Sequence, residues 1–101
     1  MKTIAIQIGN TDDKLFQERW ADFYNHVSSA IYHRSNEIHF SGASSNYEKW
    51  QNAAWIFEIA DAEAIRLRGD MNLFCNMFDQ DSIAWSDCKT EFIDGSEREL
   101  K

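Results

Sequence analysis

The chain contains no proline, and its two cysteines, Cys75 and Cys88, show neither the spacing of metal ligands nor a disulfide framework. No repeat or low-complexity tract divides the 101 residues, so we expect one domain with a single core. No apolar run approaches the roughly 18 residues that a transmembrane helix needs. Residues 1–8 carry one charged side chain, and polar residues then interrupt the apolar ones, which indicates a strand and not a signal peptide. These absences favour a reduced, cytoplasmic protein.

Catalytic motifs are also missing. The sequence has no P-loop, no glycine-rich dinucleotide turn and no Ser-His-Asp order, so we assign no catalytic residue. His26, His33 and His39 lack ligand spacing, and the seven-residue interval between His26 and His33 on one predicted helix favours a solvated pair over a metal site. Cys75 is expected to be a buried filler, and Cys88 has no sequence neighbour that would activate a thiolate. We therefore expect no metal and no cofactor.

Basic residues are few compared with acidic ones. Ten Lys and Arg stand against seventeen Asp and Glu, which gives a formal net charge of -7. Such a chain repels phosphate backbones, so direct binding of nucleic acid is not expected. It is instead attracted to a basic protein surface, although many proteins are acidic only because like charges keep them dispersed. Hydrophobic content of 44%, with 14% aromatic residues, predicts a globular chain.

The hydrophobic pattern predicts the order strand, helix, strand, strand, helix, strand. Alternating apolar residues predict strands at 2–9, 37–41, 51–60 and 82–86. Helical periodicity predicts one helix from a start between Asp12 and Gln17 to about His33, and a second over 62–78 with Asp61 as its N-cap. This order is that of the ferredoxin-like α+β sandwich, in which two helices cover one face of a four-stranded antiparallel sheet.

The same periodicities assign side chains to a core and to an open sheet face. The core is expected to contain the apolar residues of the central strands and one stripe of each helix. Those residues are Ile4, Ile6, Ile8, Ala53, Trp55, Phe57 and Ile59, then Phe16, Trp20, Phe23, Val27 and Ile31, and Ala64, Leu67, Met71, Phe74 and Phe78. In the second strand, Ile38 and Phe40 are expected to face inward and His39 outward.

The open face is expected to carry Thr3, Ala5, Gln7, Ala54, Ile56 and Glu58, with an edge contribution from Ala84. The apolar strip on this face makes a homodimer through the open sheet possible. RNA-binding sheets of this fold display aromatic residues there, and the mostly small or polar residues here argue against that use.

After the fourth strand, residues 87–89 are expected to turn and Thr90–Ile93 to return as a short extra strand. The single domain then covers residues 1–93. Residues 94–101 form a polar tail that is expected to be mobile.

Three polar loops should emerge at one end of the sheet in this topology, at residues 9–14, 42–52 and 79–82. They bring together the candidate partner-binding residues Asn10, Asp12, Asp13, Asn46, Tyr47, Glu48, Trp50, Gln51, Asn52, Asp79 and Asp81. Such an edge could dock onto Arg and Lys of a partner, or bind a hard cation or a small molecule. Alternatively, its acidic residues only start a helix or form turns, and Trp50 only anchors its loop.

Four stretches, at residues 9–15, 50–55, 80–85 and 90–92, resemble a family of small uncharacterised proteins associated with actinobacteria and their phages. The resemblance covers most of residues 1–93. It implies no known activity and transfers no catalytic residue. One departure concerns the start of the first helix, where the family pattern leads us to expect a hydroxyl side chain and this chain has Phe16.

These observations lead to two expectations about function. The first is a small acidic, non-enzymatic protein-binding module, and the phage association suggests an inhibitor of a host nucleic-acid-handling defence complex. The alternative is a small dimeric enzyme or a ligand- or metal-binding domain with a site in the same loops. A pocket with a carboxylate of raised pKa would favour the alternative, and an exposed acidic edge would favour the first.

Overall fold

The fold is described from a computed structural model that covers residues 1–10, 15–44 and 51–96. Its elements are β1 (Lys2–Gly9), α1 (Gln17–Arg34), β2 (Glu37–Ala43), β3 (Asn52–Ile59), α2 (Asp61–Met77) and β4 (Ala84–Cys88). The strands form one antiparallel sheet in the order β2-β3-β1-β4, and both helices pack on one face. The ferredoxin-like α+β sandwich is therefore confirmed. Neither α1 nor α2 has the length and apolar content that crossing a bilayer requires.

The core lies between the helices and the two central strands, as the alternation of residues predicted. Ile4 pairs with Phe57 and Ile6 with Trp55, and none of these side chains is measurably exposed. The helices cover them with the expected stripes, of which only Phe16 and the partly buried Phe74 lie outside the buried set. Burying each large side chain contributes about 1.5–3 kcal/mol, so this layer dominates the stability of the fold.

The starts of both helices differ from the prediction. Phe16 was expected in the core, but its side chain is 84% exposed and Leu15 is buried in its place. Phe16 is the extended N-cap residue of α1, and it has no side-chain oxygen with which to cap the helix. Asp61 was expected to be the N-cap of α2, but Ala60 holds that position and Asp61 is the first helical residue. A carboxylate in the first turn still interacts favourably with the helix dipole.

Strand β2 contains a β-bulge, and this corrects the predicted orientation of Phe40. Ile38 pairs with Phe57, but Phe40 pairs with Ile56, so His39 is the extra residue on the β2 side. Because Ile56 lies on the open face, Phe40 lies there too, with 53% of its surface exposed. Its ring lies over Gly42, where an added Cβ would come within 2.8 Å of the Phe40 Cζ atom.

The last strand and the segment after it also differ from the prediction. β4 runs over Ala84–Cys88, two residues later than expected, so residues 87 and 88 belong to a strand and not to a turn. The register pairs Trp85 with Ile6, which places the indole on the helix-covered side against the core. No extra strand forms at Thr90–Ile93, where the described backbone has no regular structure. Residues 97–101 of the predicted tail lie outside the described residues.

Candidate functional site

The described ends of the three polar loops meet at one end of the sheet, which we call the loop edge. Gly9 pairs with Asn52 at the end of β1, and the Asn10 backbone N–H donates to the Gln51 carbonyl at 2.8 Å. The segment Gln80–Ser82 lies beside them, and together they line a shallow depression of about 330 Å³. The topology therefore brings these chain segments together as predicted.

Two of the predicted partner-binding residues, Asn10 and Gln51, are buried in the loop edge. The Asn10 side-chain amide donates to the Leu15 carbonyl at 2.9 Å, and its oxygen accepts from the Leu15 N–H at 3.1 Å. Gln51 accepts a long 3.4 Å bond from Asn10 and donates to the Gln17 side chain at 3.0 Å. The two amides are 1% and 3% exposed, so they hold β1, β3 and the start of α1 together and offer little surface to a partner.

Three of the predicted residues are exposed on the loop edge: Asn52, Asp79 and Asp81. Asp79 has a positive φ of 53°, and the next N–H, that of Gln80, donates to the Cys75 carbonyl at 2.8 Å. This is a Schellman-type end of α2, in which the residue after the cap takes the left-handed conformation. Asp79 thus terminates the helix while its carboxylate stays in solvent. Asp81 and Asn52 both line the depression.

A basic residue, Arg19, lies at the C-terminal end of α2, which ends just before Asp79 in the chain. Arg19 on α1 donates to the Met77 carbonyl at 3.0 Å, and its guanidinium lies 4.5 Å from the centre of the Phe78 ring. A cation at the C-terminal end of α2 is favourable because unpaired carbonyls give that end a partial negative charge. Arg19 therefore has a structural role, which is to stabilise the C-terminal end of α2.

The other predicted site residues, Asp12, Asp13, Asn46, Tyr47, Glu48 and Trp50, lie outside the described residues. The described part of the loop edge consequently contains two exposed carboxylates, those of Asp79 and Asp81, beside the exposed amide of Asn52.

A second polar group, which the sequence analysis missed, lies on the open face where β2 meets β3. Glu37 and Glu58 are direct partners across the two strands, and His39 follows two residues after Glu37. One potential ligand atom from each of these three side chains lies within 4.8 Å of the other two. We call this group the strand-pair cluster. Its residues come from two strands, so it depends on a register that spacing along the chain does not show.

Apolar residues lie next to the strand-pair cluster. Ala5 and Ile56 are paired across β1 and β3, and Phe40 and Ala54 lie close by on β2 and β3. We call these four residues the open-face patch. Phe40 and Ala54 also line a shallow cavity of about 480 Å³ that continues to the hairpin end of the sheet. The expected apolar strip is thus present, and Phe40 extends it.

A third polar group joins the helices and has a structural role. Arg34 donates to Asp70 at 2.6 Å and to Glu63 at 3.0 Å, and Glu63 also accepts from Arg66 at 2.8 Å. The hydrogen bond from Arg34 lowers the pKa of Glu63, and the hydrogen bond to Asp70 raises the pKa of Arg34. On α2, Cys75 was expected to be a buried filler but is only partly buried. This partial burial raises the pKa of its thiol, which does not suit a nucleophile.

No family model matches this chain, and no curated protein matches it. Several solved structures share its fold. The designed protein Foldit4 aligns with a TM-score of 0.59 and 10% identity over 88% of this chain and 97% of its own. A hypothetical protein from Arabidopsis thaliana aligns with a TM-score of 0.55 and 12% identity over 92% and 91% of the two chains. The C-terminal domain of the MgtC protein from Mycobacterium tuberculosis aligns with a TM-score of 0.53 and 6% identity over 87% of this chain and 88% of its own. Identities this low establish the fold alone.

Proposed function

We propose that this protein is a small, non-enzymatic module that binds another protein through its acidic loop edge. The observation that carries the proposal is that Asp79 and Asp81 are exposed just after the end of α2, where Asp81 and Asn52 line the same depression. The predicted Asp12 and Asp13 lie outside the described residues and follow Asn10 closely in the sequence. Carboxylates on a firmly connected edge suit a partner that presents Arg and Lys.

The shape of the loop edge supports docking more than catalysis. Its depression of about 330 Å³ lies open along the surface, whereas enzyme sites usually enclose most of a small substrate. The buried Asn10 and Gln51 amides hold β1, β3 and the start of α1 together at this edge, and the bond from the Gln80 N–H to the Cys75 carbonyl fixes the backbone at Asp79. A fixed backbone reduces the freedom that is lost on binding. A formal net charge of -7 adds long-range attraction to a basic partner.

The partner class follows from the charge and from the sequence resemblance. A surface rich in Arg and Lys that normally holds nucleic acid is the natural target of such an acidic edge. Because the sequence resembles proteins associated with actinobacteria and their phages, we propose an inhibitor of a host nucleic-acid-handling defence complex as the specific form. A small enzyme or a ligand-binding domain that uses the same loops is the alternative.

The experiment compares binding of wild type and of charge variants to proteins in an actinobacterial lysate. Asp79→Asn with Asp81→Asn removes two charges from the loop edge, and asparagine tolerates the left-handed backbone at position 79. The matched control, Asp22→Asn with Asp87→Asn, removes two charges from exposed positions on α1 and β4. We expect the control to retain a partner that the loop-edge variant loses, with capture by wild type weakening as salt rises.

Equal capture by both variants would contradict docking through the described edge and leave Asp12 as the next residue to test, in an Asp12→Ala, Asp81→Ala variant. If wild type captures no specific partner, the enzyme or ligand-binding alternative gains weight. A thermal-shift screen with small molecules would then follow.

A specific observation also supports self-association through the open-face patch. The bulge turns Phe40 onto the open face, where it lies with Ile56 on a sheet surface that no described helix covers. A second copy brings the same apolar patch, and a two-fold axis over the sheet would bury both at once. We therefore propose a homodimer through the open face.

A further inference from the structure

We propose that the strand-pair cluster, Glu37, His39 and Glu58, binds one divalent transition-metal ion, with Zn²⁺ as the probe. The His39 Nε2 atom lies 3.6 Å from the Glu58 Oε2 atom, and one Glu37 oxygen completes a set within 4.8 Å. Two ligands held about 2.1 Å from a tetrahedral zinc ion are about 3.4 Å apart. The His39–Glu58 pair is already near this spacing, and a small rotation of the exposed Glu37 side chain would close the set.

The charges of the cluster favour a cation. Glu37 and Glu58 are directly opposed across an antiparallel pair, an arrangement in which like charges destabilise a sheet. In the part of the chain that the structure describes, no lysine or arginine lies within ion-pair distance of either carboxylate. His39 is their ionisable neighbour. A divalent ion would neutralise both carboxylates at once.

The backbone around the cluster is fixed. The Asn36 N–H donates to the Glu58 carbonyl at 2.8 Å, which holds the start of β2 against the end of β3. The bulge then leaves His39 unpaired in the ladder and places Phe40 on the same face. Bulges are frequent next to functional sites because they redirect side chains in this way. Phe40 and Ile56 are paired on the same face and border the cluster.

The ligand types select the class of ion. Mg²⁺ and Ca²⁺ prefer oxygen ligands alone, whereas imidazole nitrogen suits zinc and its first-row neighbours. One imidazole and two carboxylates leave a coordination position for water or for a ligand from elsewhere, as in zinc sites with three protein ligands. This proposal is independent of the loop edge, because the cluster shares no residue with it.

The test is a calorimetric titration of ZnCl₂ into the metal-free protein. It is carried out with Cys88→Ser, since Cys88 and Glu58 both pair with Thr3 on the open face, and the exposed Cys88 thiol could bind zinc by itself. We expect one equivalent to bind and to raise the melting temperature. His39→Gln and the double variant Glu37→Gln, Glu58→Gln should each weaken binding by at least about tenfold.

Two matched controls separate this site from general surface binding. His33→Gln removes an exposed histidine on α1, and Asp79→Asn with Asp81→Asn removes the described loop-edge carboxylates; both should bind zinc as the parent does. The double glutamine variant should also melt higher than the parent without metal, because it removes the opposed charges. Absence of binding, equal affinity in His39→Gln, or an equal loss in His33→Gln would overturn the proposal.

Discussion

The two faces of the sheet are built from the same strands and differ in almost every physical property. On the helix-covered face, Ile6 and Trp55 are paired and show no measurable exposure. The neighbouring pair in the ladder, Gln7 and Ala54, lies on the open face, where Gln7 is exposed. The covered face must exclude water, so it accepts only closely packed apolar groups. The open face has no such constraint, and it tolerates a bulge and a pair of opposed carboxylates.

This difference shows where function can be built without loss of the fold. A bulge on the covered face would rotate a core residue into solvent, whereas in β2 it turns Phe40 onto the open face and leaves Ile38 packed against the core. The strand-pair cluster and the open-face patch both lie on the side whose residues contribute least to stability. The loop edge is a further such region, because it combines the buried Asn10 and Gln51 amides with the exposed carboxylates of Asp79 and Asp81.

The largest expected effect on stability comes from a core substitution on the helix-covered face, at Trp55. Trp55→Ala should reduce the free energy of unfolding by about 3–5 kcal/mol, because it removes a fully buried indole between the sheet and Tyr24. Chemical denaturation measures the change. The adjacent Ile56→Ala on the open face is the matched control and should cost only about 1 kcal/mol, since Ile56 is 37% exposed. Similar losses for the two variants would contradict the difference between the faces.

A smaller effect on stability is expected at Phe40, together with a large effect on assembly. Phe40→Ser should change the unfolding free energy by no more than about 1 kcal/mol, because the ring is half exposed at the sheet edge. If the open face mediates a dimer, light scattering after size exclusion should show wild type as a dimer and Phe40→Ser as a monomer. Tyr32→Ser, which removes an exposed aromatic from α1, should leave the dimer intact. A monomeric wild type would reject the homodimer.

The smallest expected effect lies between the helices and depends on pH. The pKa of Glu63 is lowered from its ordinary 4.5 by the Arg34 hydrogen bond, so folding stabilises the charged form. This contribution is complete above pH 4.5 and disappears as the pH falls through the lowered pKa of the folded protein. The melting temperature of Glu63→Gln should therefore be slightly lower than that of wild type at neutral pH. At strongly acidic pH the two melting temperatures should be equal.

The control for this prediction is Glu91→Gln, which changes an exposed residue after β4. The difference between its melting temperature and that of wild type should not depend on pH in the same range. A Glu63→Gln curve parallel to wild type at every pH would show that the charge of Glu63 contributes nothing to stability.

The sequence alone predicted the order of the elements and the contents of the core. Strands and helices differ in period, so the alternation in β3 and the stripes of α1 and α2 assign their buried faces without any knowledge of partners. The same logic placed the three polar loops at one end. It failed at Phe16, where the stripe continues past the start of the helix, because periodicity does not show which residue remains extended.

The tertiary structure alone decided features that depend on pairing between strands. The bulge at His39, the exposure of Phe40 and the opposition of Glu37 to Glu58 all follow from the register of β2 against β3. The late start of β4 likewise follows from pairing Trp85 with Ile6. A local period defines which face a residue occupies, but register is set by packing between distant segments, and one added residue changes every later assignment.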